Sequence, residues 1–250
     1  MMLADRTILV TGGGRGLGRE LALGCAGRGA AVIVADIDLD GARETAAMIE
    51  SRDGMAFAYH VDLGDPVSIS SLASKIAADH GKLHGLVNNG AIATGIGGIP
   101  FEDIEIESWD LVQRVNVRGT WLMARAFASM LRASGSGRVV NVASDTALWG
   151  APRLMSYVAS KGAVISMTRS LARELGPDRV GVTAVAPGIL TTASTEYVPA
   201  ARHQLYGDGR AVPGPQSPQE ITGVVAFLVS EDALTLTGQI MPVNNGFVFN

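Results

Sequence analysis

Seven short runs rich in β-branched and other apolar residues recur along the chain, at 7–10, 31–35, 56–60, 85–88, 138–142, 180–186 and 239–243. Each is separated from the next by a stretch long enough for a helix, an alternation that predicts βαβ units and a mostly parallel, buried sheet. Helical periodicity is visible in the intervals. After Asp65-Pro66, a cap followed by proline at the first helical position, Ile69, Leu72, Ala73, Ile76 and Ala77 fall at i, i+3, i+4, i+7 and i+8. Ser217-Pro218-Gln219-Glu220 reads as a capping box before Ile221, Val224, Val225, Leu228 and Val229 at the same spacing. Leu17, Leu21 and Cys25 share one face of an earlier helix, which assigns Cys25 to the core rather than to reactive chemistry. No repeat and no linker divides the chain, so residues 1–250 are expected to form one α/β domain.

Composition narrows the class. With 47% hydrophobic and 18% charged residues the chain is globular rather than disordered. One cysteine closes no intrachain disulfide and makes no cysteine-rich zinc site. His60, His80, His84 and His203 lack ligand spacing, so no metal is expected. A net charge of −4 without a run of Lys or Arg disfavours nucleic acid and anionic membranes as partners. The longest stretch free of charged residues, 83–101, is long enough for a bilayer, but its glycines, asparagines and proline make it a loop-rich interior segment. The opening residues carry Asp5 and Arg6 without an apolar signal segment, and the protein is read as cytoplasmic.

The glycines, 31 in all, have a local reason at the first strand's end, where Thr11-Gly12-Gly13-Gly14-Arg15-Gly16-Leu17-Gly18 leads into a helix. Such a loop brings backbone N–H groups and the positive end of a helix dipole against a pyrophosphate. Asp36, at the end of the second strand and about twenty residues beyond the loop, is placed to accept hydrogen bonds from an adenosine ribose and to repel a 2′-phosphate. Arg15 pulls the other way, since a guanidinium pairs with that phosphate. The balance favours NAD over NADP. Further on, Ser144 follows the fifth strand, and Tyr157 and Lys161 stand at i and i+4 of a helix containing Val164, Met167, Leu171 and Leu175. A cation beside a phenol favours the phenolate and moves tyrosine toward the working range of a general acid–base.

Together these residues resemble the short-chain dehydrogenase/reductase family, in its single-domain branch. The resemblance covers essentially the whole chain: TGxxxGxG at 11–18, Asp62-Leu63 after the third strand, Asn88-Asn89 after the fourth, Asn116, Ser144, Tyr157-x-x-x-Lys161 and Pro187-Gly188. It implies a Rossmann-type, doubly wound sheet of about seven strands, a homotetramer, and hydride transfer between NAD or NADP and an alcohol or carbonyl carbon. Tyr157 would exchange the proton with the substrate oxygen and Ser144 would hold that oxygen. Lys161 would lower the Tyr157 pKa and bind the nicotinamide ribose, and Asn116 would order a proton-relaying water. Gly12, Arg15, Gly16, Leu17 and Gly18 would cradle the cofactor with Asp36. Asp62 and Leu63 would meet its adenine, Asn89 its adenosine side, and Leu190 and Thr192 its carboxamide.

The chain departs from the family pattern in three places. Asn88-Asn89-Gly90-Ala91 inverts the usual Ala-Gly order, which bears on the backbone path beside the cofactor. Asn244-Asn245-Gly246 stands where Asp-Gly-Gly is common. Asp145, directly after Ser144, is read as a solvated loop carboxylate rather than a substrate contact. Residues 190–216 form the expected substrate loop, a candidate lid containing Thr195, Tyr197, Tyr206 and Arg210. Trp149, Tyr197 and Tyr206 are candidate pocket walls. With few charges in that loop, the expected substrate is a neutral secondary alcohol or its ketone, aryl or alicyclic. The apolar residues 246–250 are expected at a subunit interface. Three alternatives stay open: an NADPH-dependent 3-oxoacyl thioester reductase, a non-catalytic dinucleotide-sensing regulatory protein, and a nucleotide-sugar epimerase or dehydratase, for whose usual C-terminal substrate domain 250 residues leave no room.

Overall fold

The structure, a computed structural model, describes residues 1–249 and leaves out the side chain of Ser194. Seven parallel strands form one sheet: β1 (Thr7–Thr11), β2 (Ala31–Asp36), β3 (Met55–His60), β4 (Gly85–Asn88), β5 (Arg138–Val142), β6 (Gly181–Pro187) and β7 (Ile240–Val243), in the order β3-β2-β1-β4-β5-β6-β7. Each expected strand is present to within a residue at either end. The alternation of neighbours explains the apolar runs. Ile8, Val10, Val32 and Val34 point into one core, while Leu9, Ile33 and Ala35 point into the other, so both faces of the sheet are buried.

Helices cover both faces. Helices α1 (Gly16–Ala26) and α2 (Leu39–Glu50) pack on the first, with buried Leu21, Cys25, Ala46 and Ile49. The second carries α3 (Pro66–His80), whose N-cap Asp65 accepts from the Val67 N–H at 2.9 Å and whose Ile69, Leu72 and Ile76 form the buried stripe read from the sequence. Helix α4 (Ile106–Val112) runs through a π-helical turn (Gln113–Gly119) into α5 (Thr120–Ala133) on that same face. After β5 come a short α6 (Thr146–Trp149) and the long α7 (Met155–Leu175). Helix α8 (Ala200–Gly209) lies within residues 190–216, and α9 (Gln219–Leu228) packs on α1. At the start of α9 half of the expected capping box is made: Glu220 Oε2 accepts from the Ser217 N–H at 2.5 Å, while Pro218, lacking an N–H, takes the cap position.

The strand order reverses between β1 and β4, which are neighbours though β2 and β3 intervene in sequence. At such a switch point the connections leave to opposite faces, and a crevice opens beyond the carboxyl ends of the strands. The charge-free segment 83–101 lies here as β4 and the loop following it. No helix among the described residues is long and apolar enough to cross a membrane. Of the apolar C-terminal residues, Asn250 lies outside the described ones.

Candidate active site

One wall of the crevice is the turn between β1 and α1. Gly12 has φ +64°, and a Cβ there would stand 2.7 Å from Gly90 Cα, so the turn and the loop after β4 touch backbone to backbone. A Cβ on Gly18 would stand 1.9 Å from Gly12 O, which lets only glycine seat α1 beneath its own entry turn. Thr11 and Asn89 lock the approach. The Thr11 hydroxyl accepts from the N–H groups of Asn89 (3.1 Å) and Gly90 (3.0 Å), and Asn89 Nδ2 donates to Thr11 O (3.0 Å) and Gly12 O (3.1 Å). The inverted Gly90-Ala91 order therefore puts glycine where the two loops are in contact.

Asp36 ends β2 beside this turn. Its carboxylate accepts from the Gly14 N–H at 2.8 Å and the Asp38 N–H at 3.0 Å, one bond to each oxygen. Each oxygen keeps a further acceptor site. Arg15 is exposed and has no side-chain partner among the described residues. The first turn of α1 has no side-chain cap and no acidic residue, and the space above Gly16 is open. Uncapped N–H groups, an open cradle and a carboxylate at the second strand's end fit the pyrophosphate and ribose of a dinucleotide. Asp62 accepts from the Gly64 N–H at 2.7 Å, and Leu63 packs against Gly90 and Gly119. Leu190 is buried, its carbonyl held by the Thr195 hydroxyl, and Thr192 and Thr195 cap each other's turn.

The other wall holds Ser144, Tyr157 and Lys161. The β5–β6 ladder continues past the end of β5, since Ala143 N–H donates to Val185 O (2.8 Å) and Asp145 N–H to Pro187 O (3.0 Å). Ser144 thus sits between two pinned neighbours. Its hydroxyl accepts from Thr146 Oγ1 at 2.9 Å, which leaves its own proton to donate, and the hydroxyl favours the ionised form of Tyr157 nearby. Helix α7 is tied to the sheet by a buried chain in which Asn88 Nδ2 donates to Asn141 Oδ1 and Asn141 Nδ2 to Thr168 Oγ1, each at 2.9 Å. On the same helical face Lys161 Nζ donates to Val142 O at 2.6 Å and lies 5.6 Å from the centre of the Tyr157 ring. Burial pushes Tyr157 up to about 12, opposed by the Ser144 hydrogen bond and reinforced by the charges of Asp145 and Tyr197. Burial also brings Lys161 down to about 8.

Asn116 lies in the π-helical turn, 1% exposed. Its amide clamps the loop after β4, accepting from Ile92 N–H (2.8 Å) and donating to Ile92 O (3.0 Å), and it donates to Ser160 Oγ (3.1 Å). π-turns recur at functional sites because the wider turn re-aims a side chain. Tyr197 reaches across the crevice to donate to Ala93 O at 2.6 Å. Trp149 turns elsewhere: its indole N–H donates to Tyr206 at 3.3 Å and its ring meets Phe247 edge-on.

Two sequence expectations are corrected. Asp145 is not solvated: it is 1% exposed, accepts from Tyr206 at 2.6 Å and Asn244 at 3.2 Å, and burial raises it to about 6. Tyr206 is not a pocket wall; it is 2% exposed and stacked on Phe247 with ring centres 4.1 Å apart. Thr146 and Ser160 were missed, and Thr11, quoted only as the first residue of the glycine motif, was given no role, since a lone hydroxyl carries no periodic signal.

The sheet order and the crevice define a dinucleotide-binding α/β protein. Residues 12–248 match the family model described as enoyl-(acyl carrier protein) reductase. The chain is 33% identical over 252 residues to a cyclopentanol dehydrogenase of Comamonas sp. (strain NCIMB 9872), covering 98% of each. It is 29% identical over 248 residues to a 3-oxoacyl-(acyl-carrier-protein) reductase of Thermotoga maritima, covering 99% of this chain and all of that one. A solved structure from Beutenbergia cavernae, assigned as an NAD(P)-dependent gluconate 5-dehydrogenase with NADP bound at low occupancy, superposes with a TM-score of 0.91 at 35% identity, covering 98% of this chain and 97% of that one. The chain belongs to the short-chain dehydrogenase/reductase family. It is an NAD(P)-dependent oxidoreductase of the alcohol dehydrogenase kind.

Proposed function

We propose that the protein interconverts a neutral secondary alcohol and its ketone, with NAD preferred over NADP. The observation that carries this reading is the meeting of Ser144, Tyr157 and Lys161 across the crevice from an uncapped helix N-terminus flanked by Asp36. A nicotinamide cofactor, when bound, supplies the hydride donor or acceptor. The protein's share is orientation and the proton. Ser144 donates a hydrogen bond to the substrate oxygen, and Tyr157 Oη gives it a proton in reduction or takes one in oxidation. Lys161, held by Val142 O, keeps a cation beside that phenol and would bind the ribose of a bound nicotinamide cofactor. Asn116 fixes the loop on which the cofactor's inner half would rest.

The alicyclic substrate of the Comamonas relative supports a neutral ring alcohol. Arg15 and the NADP-bound Beutenbergia relative speak for NADPH, and with the Thermotoga relative they favour 3-oxoacyl reduction as the second reading. Fluorescence titration with NADH and NADPH separates them. The expected result is NADH binding at least about tenfold tighter, lost on Asp36→Ala. Tighter NADPH binding, weakened by Arg15→Ala, would overturn the cofactor assignment. A screen of secondary alcohols with the preferred oxidised cofactor then tests the substrate class.

A further inference from the structure

Asp145 contributes no atom to the proton path, yet it is the most completely buried acid near it. It is adjacent in the chain to Ser144, and its two oxygens are claimed by different parts of the fold. Oδ1 accepts from the Tyr206 hydroxyl of α8, and Oδ2 accepts from Asn244 in the turn after β7. Its backbone N–H is held by Pro187 O, and its carbonyl accepts from Leu148 and Trp149 at 2.8 and 3.2 Å, so the loop bearing Ser144 cannot shift without disturbing these contacts. The far side of the connection is α8, whose sole buried residue is Tyr206. Tyr206 is the buried anchor of the lid helix, beside Arg202, which donates to Pro152 O at 3.1 Å and lies over the Trp149 ring, and the Tyr206 hydroxyl is bonded to the neighbour of Ser144.

We propose that Asp145 is a positioning residue, coupling the seating of the substrate loop through Tyr206 to the placement of the Ser144 and Tyr157 hydroxyls. Such a connection makes the geometry of the proton path depend on whether the lid helix is docked. Asp145 faces Tyr206, Asn244 and the guanidinium of Arg210, which lies over the Tyr206 ring; Arg202, over the Trp149 ring, adds a positive charge near the Tyr206 hydroxyl, and Tyr157 lies on the catalytic side. An ionised Asp145 holds Tyr157 protonated to higher pH, a second route by which it acts on the reaction.

This inference rests on the assignment of Ser144 and Tyr157, and its test keeps the two apart. Hydrogen exchange read by mass spectrometry on the wild type and Tyr206→Phe needs no substrate. The variant retains the ring stacked on Phe247 and loses only the hydroxyl. Exchange is expected to quicken together, by about tenfold, in 200–209 and in 143–150. Quickening confined to 200–209, or no change, overturns the coupling. With the alcohol found in the screen, Tyr206→Phe should lower kcat severalfold, and a rise in KM with kcat unchanged would overturn the link to the proton path. Asp145→Asn, which keeps an acceptor for Tyr206, should move the acid limb of the oxidation pH profile down by on the order of half a unit. An unmoved limb removes the electrostatic part. Tyr157→Phe serves as control: its retained turnover would sink the catalytic assignment and leave the exchange result standing.

Discussion

Tyr157 is held in its neutral form by burial and by the charges of Asp145 and Tyr197; the Ser144 hydroxyl opposes this, and Lys161, 5.6 Å from the ring centre, does not draw the phenol down as expected from the sequence. A phenol at about 12 next to an ammonium at about 8 means that the free protein keeps its proton on tyrosine across the neutral range. Replacing Tyr157 by Phe removes the proposed proton carrier while keeping the ring. Turnover should fall by about 10²–10⁴-fold, while NADH titration is unchanged; a variant within tenfold of wild-type rate would contradict the assignment. The placement of Tyr157 and Lys161 on one helix face and of Ser144 at a strand end was legible from spacing, while their proposed roles came from the family resemblance. The hydroxyl of Thr146, which orients the proton of Ser144, was not, because a threonine two residues on has no pattern to distinguish it from any loop threonine.

At the scale of elements, the site depends on two backbone contacts made by glycine. The turn before α1 meets the loop after β4 at Gly12 and Gly90, and α1 meets its own entry turn at Gly18. Adding one methyl at Gly18 places it 1.9 Å from a backbone oxygen that has no room to withdraw, since Asn89 Nδ2 is already bonded to that oxygen. Gly18→Ala should destabilise the fold by about 1–3 kcal/mol, read by urea denaturation, and should weaken NADH binding more than tenfold. Normal affinity in a folded variant would show that the turn is free to adjust. The elements themselves were plain from periodicity: β1 through β7 and the stripe of α3 follow from spacing alone. The π-helical turn around Asn116 was not foreseen, because it needs the Ile92 backbone and Ser160 as partners, and both lie far away in sequence.

Across the whole molecule the buried carboxylate of Asp145 should leave a thermodynamic trace. Its pKa rises from 3.8 to about 6 on folding, with burial the leading cause and the Tyr206 and Asn244 hydrogen bonds opposing. Between those values the folded state binds more protons than the unfolded one, so this group's contribution to stability falls as pH rises through the window. The loss is on the order of 3 kcal/mol, present in full above pH 6 and absent below about 4. Denaturation of the wild type and Asp145→Asn at pH 4 and pH 8 should show the wild type losing about that much relative to the variant. A difference independent of pH would mean that the carboxylate is not desolvated as the structure has it. Retaining a destabilising acid beside Ser144 is consistent with a positioning task there, since functional sites commonly hold groups that cost stability.

The sequence alone determined the βαβ order, the two faces of the sheet, the phosphate-type turn at 11–18, Asp36 at the end of β2, and the shared helix face of Tyr157 and Lys161. All of these are set by local spacing, because strand and helix geometry convert sequence distance directly into direction in space. Tertiary structure alone decided the surroundings of Asp145. Whether that carboxylate meets water or Tyr206 and Asn244, 61 and 99 residues away, depends on how distant segments pack. Burial and pairing of a polar group are properties of the assembled fold, and no local pattern encodes them.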